Sequence, residues 1–226
     1  MQLAIVTGAS SGIGQATVRL LLERGWSVIG LSRRPTAIDD PHFRSISVDL
    51  TCSDALRETL AGLETPQAII HAAGIMAAAP LGKLESDIGQ QLWALHVQAA
   101  ETVMNHFAPQ MQAGGRLVVV GSRTSRGAAN RSQYVATKAA LVGMVRSWAM
   151  ELASRGITAN VVAPGATATP MLTQPGRAAS APIMPPIGRL IQPQEVAALI
   201  AFLLQPEAGA ITGQEIAICG GASLGK

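Results

Sequence analysis

Tyr134 and Lys138 stand four residues apart in the stretch Tyr134-Val135-Ala136-Thr137-Lys138, and Tyr134 is the only tyrosine of the chain. On a helix, positions i and i+4 share a face, so a phenol and an ammonium at this spacing can reach a common point. A nearby cation favours the phenolate and lowers a tyrosine pKa from its ordinary value of about 10. A phenol tuned in this way can give a proton to a developing alkoxide or take one from an alcohol. Taken alone, the same spacing also fits a core tyrosine beside a surface lysine. Upstream, Gly121-Ser122-Arg123-Thr124-Ser125 carries hydroxyls that could hydrogen-bond a substrate oxygen. Ser122, twelve residues before Tyr134, is the first choice, ahead of Thr124 and Ser125.

A second group of residues suits phosphate. In Thr7-Gly8-Ala9-Ser10-Ser11-Gly12-Ile13-Gly14 the glycines permit a tight turn and close backbone approach to an anion. The helix that follows would supply free N–H groups and the positive end of its dipole. The spacing is GxxxGxG rather than GxGxxG, and a purely structural strand-to-helix bend is the alternative. Further on, Leu31-Ser32-Arg33-Arg34 closes a second apolar run. A carboxylate at that place would bond the adenosine ribose hydroxyls of NAD, whereas an arginine can pair bidentately with a 2′-phosphate. Arg33 is the expected main contact, with Ser32 and Arg34 assisting, so NADP(H) is expected in preference to NAD(H). Two solvated loop arginines are the alternative.

These residues need elements to position them. LAIVT at 3–7 reads as a buried strand, followed by the glycine turn and a helix from Gln15 to Arg24 closed by Gly25. Further strands are expected at 26–31, 44–48, 67–71, 116–121, 157–162 and 215–219. Helical patterns fill the intervals at 53–63, about 85–111, about 133–154 and 193–204, and 170–190 is a Pro-rich loop. Short aliphatic strands alternating with helices imply a parallel sheet covered on both faces. The expected fold class is therefore α/β, a seven-stranded doubly wound parallel sheet, with no internal boundary over residues 1–226.

Composition narrows the function classes. Hydrophobic residues make up 48% and charged residues 14% of 226, which excludes a disordered chain. No run approaches the roughly 18 to 20 apolar residues of a membrane span, and the start lacks the basic region of a signal peptide. Cys52 and Cys219 are too few and too far apart for a disulfide framework or a zinc cluster, so a cytoplasmic location and no metal are expected. A net charge of +3 with 3% aromatics argues against a nucleic-acid binder. Arg116, Arg123, Arg126 and Arg131 cluster in sequence, as solvated loop charge or, in the minority reading, as contacts to an anionic ligand or partner.

In combination, these motifs resemble the short-chain dehydrogenase/reductase family. TGASSGIG at 7–14 is similar to its cofactor turn, and His71-Ala72-Ala73-Gly74 to its Asn-Asn-Ala-Gly segment. Asp49-Leu50 resembles its adenine-contacting pair, and Ser122, Tyr134 and Lys138 match its catalytic residues. Asn160-Val-Val-Ala-Pro164-Gly165, with Thr167 and Thr169 beyond, is similar to the segment beside the nicotinamide, and ITGQEIAICGG at 211–221 to its last turn and strand. The resemblance covers essentially the whole chain and implies a single-domain Rossmann fold. It further implies that Gly8, Ser10, Ser11, Gly12, Ile13, Gly14, Asp49, Leu50, Ala73, Gly74, Pro164, Gly165, Thr167 and Thr169 hold the cofactor. Lys138 would hold the nicotinamide ribose, Tyr134 would act as general acid/base and Ser122 would position the carbonyl oxygen. His96 falls where the family commonly has an Asn serving a proton relay, through its backbone or its imidazole; packing is the alternative. His71 replaces another Asn, with a structural role expected.

The implied activity is hydride transfer between NADP(H) and a small, mostly apolar carbonyl or secondary alcohol. The loop at 166–190, with Met171, Leu172, Ile183, Met184 and Ile187 and the charges of Arg177 and Arg189, would form a lid. A catalytically degenerate nucleotide-binding regulator or scaffold is the alternative, motivated by His71 and His96. The family's assembly habit implies a homotetramer or homodimer, with Val142, Val145, Trp148, Ala149 and Leu152 on one long helix available for an interface or the core.

Overall fold

A computed structural model describes residues 1–173 and 183–224 of the chain. Seven strands form one parallel sheet in the order β3-β2-β1-β4-β5-β6-β7. They are β1 Leu3–Thr7, β2 Ser27–Ser32, β3 Phe43–Ser47, β4 Ala68–His71, β5 Arg116–Val120, β6 Thr158–Pro164 and β7 Glu215–Ile218. The helices are α1 Gly12–Glu23, α2 Ser53–Ala61, α3 Ser86–Trp93, α4 Ala99–Phe107, α5 Ser132–Leu152 and α6 Pro193–Leu203.

Alternation along the strands sorts the core into two layers. Ile5, Ile69, Leu117 and Ala159 stand side by side on adjacent strands and belong to one apolar cluster with Leu56 and Leu60 of α2, Phe107 of α4 and Leu141 of α5. Their neighbours Val6, Ile70 and Val118 belong to a second cluster with Val18 and Leu21 of α1 and Val196 and Ile200 of α6. Helices thus cover both faces, and the carboxyl ends of all seven strands open on one edge. The strand order reverses direction between β1 and β4, and a ligand crevice belongs at such a point.

Two differences from the sequence reading concern the site. Helix α1 begins at Gly12 instead of Gln15, because the glycine turn closes directly into helical backbone. The single helix expected over 85–111 is interrupted by a π-helical turn at Ala94–Gln98, which contains His96. Such one-turn bulges are rare and are found mostly at functional sites. Val145, Ala149 and Leu152 of α5 are consumed by the chain's own core, with Val142 and Trp148 packed partly buried against it. Arg177 and the rest of 174–182 lie outside the described residues.

His71 ends β4 with no solvent exposure. Its Nδ1 lies 3.0 Å from the Thr7 hydroxyl at the end of β1, and that hydroxyl accepts the Ala73 N–H at 3.2 Å. The ring therefore ties two central strands to the loop leaving β4, as a structural role requires. Burial, with the Lys138 charge beside it, pushes its pKa down to about 3. The unfolded chain protonates this ring below about 6.5, the folded chain only near 3, so stability is present above 6.5 and lost as pH falls between them. Wild-type protein should lose on the order of 1 kcal/mol per pH unit from this group over that window. Urea unfolding between pH 7 and pH 4 should show a shallower loss for His71→Asn; equal slopes would contradict a neutral buried ring.

Candidate active site

The crevice at the carboxyl edge is a single cleft of about 590 Å³. It runs from the loop after β2, past the glycine turn, to the first turn of α5. Of the residues given catalytic or cofactor-binding roles from the sequence, all but Gly14 line it, whereas Met184 and Ile187, expected in the lid, do not. Ser32, Arg33, Arg34, Asp49 and Leu50 form one end; Gly8, Ser10, Ser11, Gly12 and Ile13 the middle; and Ala73, Gly74, His96, Ser122, Tyr134 and Lys138 the other end, with Pro164, Gly165, Thr167 and Thr169 alongside.

The middle is a cradle of bare backbone. Gly8 has φ +70°, and a Cβ there would sit 2.8 Å from the backbone of Ala73. Gly14 lies beneath the turn, where a Cβ would collide with the Gly8 carbonyl. It permits the close approach of turn to helix and does not face the cleft. Ser11 caps α1 in extended conformation without a side-chain cap bond, and no acid occupies the first helical turn. The helix therefore presents amide donors and its positive end to the cleft, an arrangement suited to a diphosphate. Thr169 packs over this turn, its Cγ2 being 3.1 Å from where a Gly12 Cβ would lie.

At the β2 end, the Ser32 hydroxyl donates to the Arg34 carbonyl at 2.7 Å and the Ser47 hydroxyl to the Arg33 carbonyl at 2.9 Å. Ser32 thus shapes the loop that carries two exposed guanidinium groups. Neither arginine is held in a salt bridge among the described residues. Asp49 accepts the N–H and the hydroxyl of Thr51 at 2.9 and 2.8 Å, and these bonds hold its pKa below the usual value.

At the α5 end, Tyr134 and Lys138 are buried on one face of the helix, as the i, i+4 spacing predicts. Lys138 Nζ donates to the Val120 carbonyl at 2.9 Å and lies 5.9 Å from the centre of the Tyr134 ring. Burial without a carboxylate lowers the Lys138 pKa to about 7. Ser122 begins the 3₁₀ turn Arg123–Arg126, its Oγ 2.9 Å from the Thr124 hydroxyl. Ser125 is turned away, donating to Glu215 of β7 at 2.5 Å, and is not a lining residue. The choice of Ser122 over Ser125 is thus made by direction as well as by order.

His96 has both ring nitrogens engaged. Nε2 accepts the Ile75 N–H at 3.0 Å, which places the ring proton on Nδ1. Nδ1 then donates at 2.8 Å to the Thr137 hydroxyl, which itself donates to the Tyr134 carbonyl at 2.8 Å. Burial, with Lys138 and His71 nearby, drives the His96 pKa well below its usual value, so the ring is neutral. Its edge meets the Tyr134 ring at 5.6 Å and 86°. The chain Ile75–His96–Thr137 therefore ties the loop after β4 to the first turns of α5. Sequence reasoning missed Thr137, whereas Arg123 and Arg131, read there as solvated loop charge or in the minority reading as contacts to an anionic ligand or partner, line the cleft. The placement of Thr137 beside Lys138 was the only signal for the first. Asn160, by contrast, is buried and bonds Ile211 and Gln214, a structural joint behind the site.

Fold and cleft together define a doubly wound α/β protein with a phosphate-type glycine cradle opening onto a serine, a tyrosine and a lysine. A family model described as enoyl-(acyl carrier protein) reductase matches residues 8–223. The chain is 33% identical, over 97% of its length and 96% of the relative's, to a 3-oxoacyl-acyl-carrier-protein reductase, FabG, of Vibrio harveyi. A short chain dehydrogenase family protein of Francisella tularensis superposes over all of both chains with a TM-score of 0.91 at 26% identity. A blue fluorescent protein from a metagenomic library, solved in complex with NADPH, superposes over 97% of each chain with a TM-score of 0.85 at 28% identity. The chain belongs to the short-chain dehydrogenase/reductase family, a family of oxidoreductases.

Replacing Thr137 by Val keeps the shape but leaves the Nδ1–H of His96 without its acceptor. A buried unpaired donor costs about 1–3 kcal/mol. Urea unfolding of Thr137→Val should show a loss of that size, and an unchanged midpoint would contradict the bridge.

Proposed function

We propose that the protein is an NADP-dependent oxidoreductase that transfers hydride between the nicotinamide and a small carbonyl compound or the matching secondary alcohol. The observation that carries this reading is the burial of Tyr134 and Lys138 on one helical face beside Ser122, in the same cleft as the glycine cradle. The cradle fits a dinucleotide diphosphate, since Gly8 and Gly12 line it without side chains and leave its backbone open to an anion. Arg33 and Arg34 would hold a 2′-phosphate, Asp49 and Leu50 the adenine, and Ala73, Gly74, Pro164, Gly165, Thr167 and Thr169 the nicotinamide half. When bound, the cofactor supplies or accepts the hydride.

The chain's own residues handle orientation and protons. Ser122 holds the substrate oxygen by a hydrogen bond from its hydroxyl. Tyr134 gives its phenolic proton to that oxygen as charge develops on it, and takes the proton back in the oxidative direction. Lys138, with a pKa near 7, can carry or release a proton at working pH and bonds the nicotinamide ribose. His96 acts as a positioning residue: with both nitrogens committed, its imidazole holds Tyr134 and the nicotinamide loop in register. That role, together with the strand-end role of His71, removes the motive for a degenerate scaffold. Met171, Leu172 and Ile183 supply apolar walls and the lid.

The same reading places the enzyme in the cytoplasm as a homotetramer or homodimer. Support comes from two free cysteines, and from Trp93, Met150 and Phe202 left exposed on three helices. No helix among the described residues is long and apolar enough to cross a membrane. The test is NADPH oxidation with a panel of aldehydes and ketones. Tyr134→Phe should lower kcat by about 10²- to 10⁴-fold while NADPH affinity is kept. Near-normal reduction by this variant would overturn the mechanism.

A further inference from the structure

The reaction end of the cleft is not uniformly apolar. Arg123 follows Ser122 directly, is half-buried, and lines the cleft together with Met76, Met171 and Leu172. One of its Nη atoms donates to the Ala222 carbonyl at 3.1 Å, in the turn that follows β7. That bond uses one of five guanidinium donors and supplies no negative charge. The acid within reach of this turn, Glu215, is committed elsewhere, to the Ser125 hydroxyl and, at 3.7 Å, to the Arg126 guanidinium. Among the described residues, Asp49 is the only carboxylate lining the cleft, and it stands at the opposite end, bonded to Thr51.

A half-buried guanidinium on a cleft wall shared with methionine and leucine favours an anion at its free N–H groups. Among the described residues no carboxylate pairs with it. We infer that Arg123 is a substrate-binding residue, and that the physiological substrate is a carbonyl compound with an apolar body and an acidic group, a carboxylate being the planar match for a guanidinium fork. Ala222 holds the guanidinium in place while its remaining N–H groups take the anion. This inference rests on the reductase reading above and adds the substrate class. The apolar character expected of the substrate is thereby confined to the part between the reacting carbon and the acid.

The experiment compares keto acids with their methyl esters: acetoacetate, 4-oxopentanoate and 4-oxocyclohexanecarboxylate, each with NADPH. For at least one pair, wild-type kcat/KM should favour the acid by about tenfold or more, the size of a charge-assisted hydrogen bond. That ratio should collapse toward one in Arg123→Gln and recover in part in Arg123→Lys. A residue that merely clamps the Ala222 turn would lower acid and ester alike and leave the ratio standing, which would overturn the inference. Esters reduced as well as or better than acids by wild type would overturn it too, and would leave the reductase reading intact. Binding gives a second readout that needs no turnover. Cyclohexanecarboxylate, and not cyclohexanecarboxamide, should raise the Tm of the NADP-saturated wild type, and neither should raise that of Arg123→Gln. No rise in wild type overturns the acidic subsite, whereas failure to bind NADPH at all would overturn the reading beneath it.

Discussion

The burial of Lys138 without a carboxylate is the constraint around which the site is built. Among the described residues its hydrogen-bond acceptor is the Val120 carbonyl, where β5 ends, so α5 must start against that strand end. The arrangement works against stability. As pH falls from 10.5 toward 7 the unfolded chain takes up a proton that the folded chain refuses, and stability is lost over that window. Below about 7 both states carry the proton and the cost is constant. Groups perturbed in this way cluster at functional sites, and the role proposed for Tyr134, one turn away on the same face, gives the charge of Lys138 a use.

Around this pair the chain spends hydrogen bonds on rigidity. The π-turn in the helix before β5 rotates His96 inward, where Ile75 and Thr137 saturate it. Through its Nδ1 alone, His71 bonds Thr7 one strand over, between β1 and β4. Two neutral histidines therefore stand where a charge would be repelled by Lys138, and each joins a strand or helix end to the loop that leaves β4. The glycine cradle depends on the same loop, since Gly8 touches the backbone of Ala73. The glycine cradle, the loop that leaves β4 and the first turns of α5 are thus one packed unit.

Much of this was legible in the residues. The short apolar runs marked every strand to within two residues, and the i, i+4 pair at Tyr134 and Lys138 fell on a helical face as spacing requires. What stayed hidden follows from physical causes. A π-turn leaves no periodic signature over five residues, so α3 and α4 read as one helix. Thr137 looked like filler because its partner lies 41 positions away. Gly14 read as a ligand contact, but its small size serves packing under Gly8. Arg123 looked like solvated loop charge, and only the topology shows that Glu215 is taken by its neighbours.

We propose that one cleft holds an NADP-type dinucleotide, with Arg33 at one end and Lys138 at the other. Thermal unfolding with NADPH, NADH or neither tests it most directly. Ligand at about 100 times its Kd adds about 2.7 kcal/mol, which for a chain of this size is a rise of about 5 to 10 °C. The account predicts a clear rise with NADPH, a smaller one with NADH at the same concentration, and loss of that difference in Arg33→Ala. An equal or larger rise with NADH in the wild type would contradict the phosphate-binding role of Arg33, and no rise with either would contradict the cleft as a dinucleotide site.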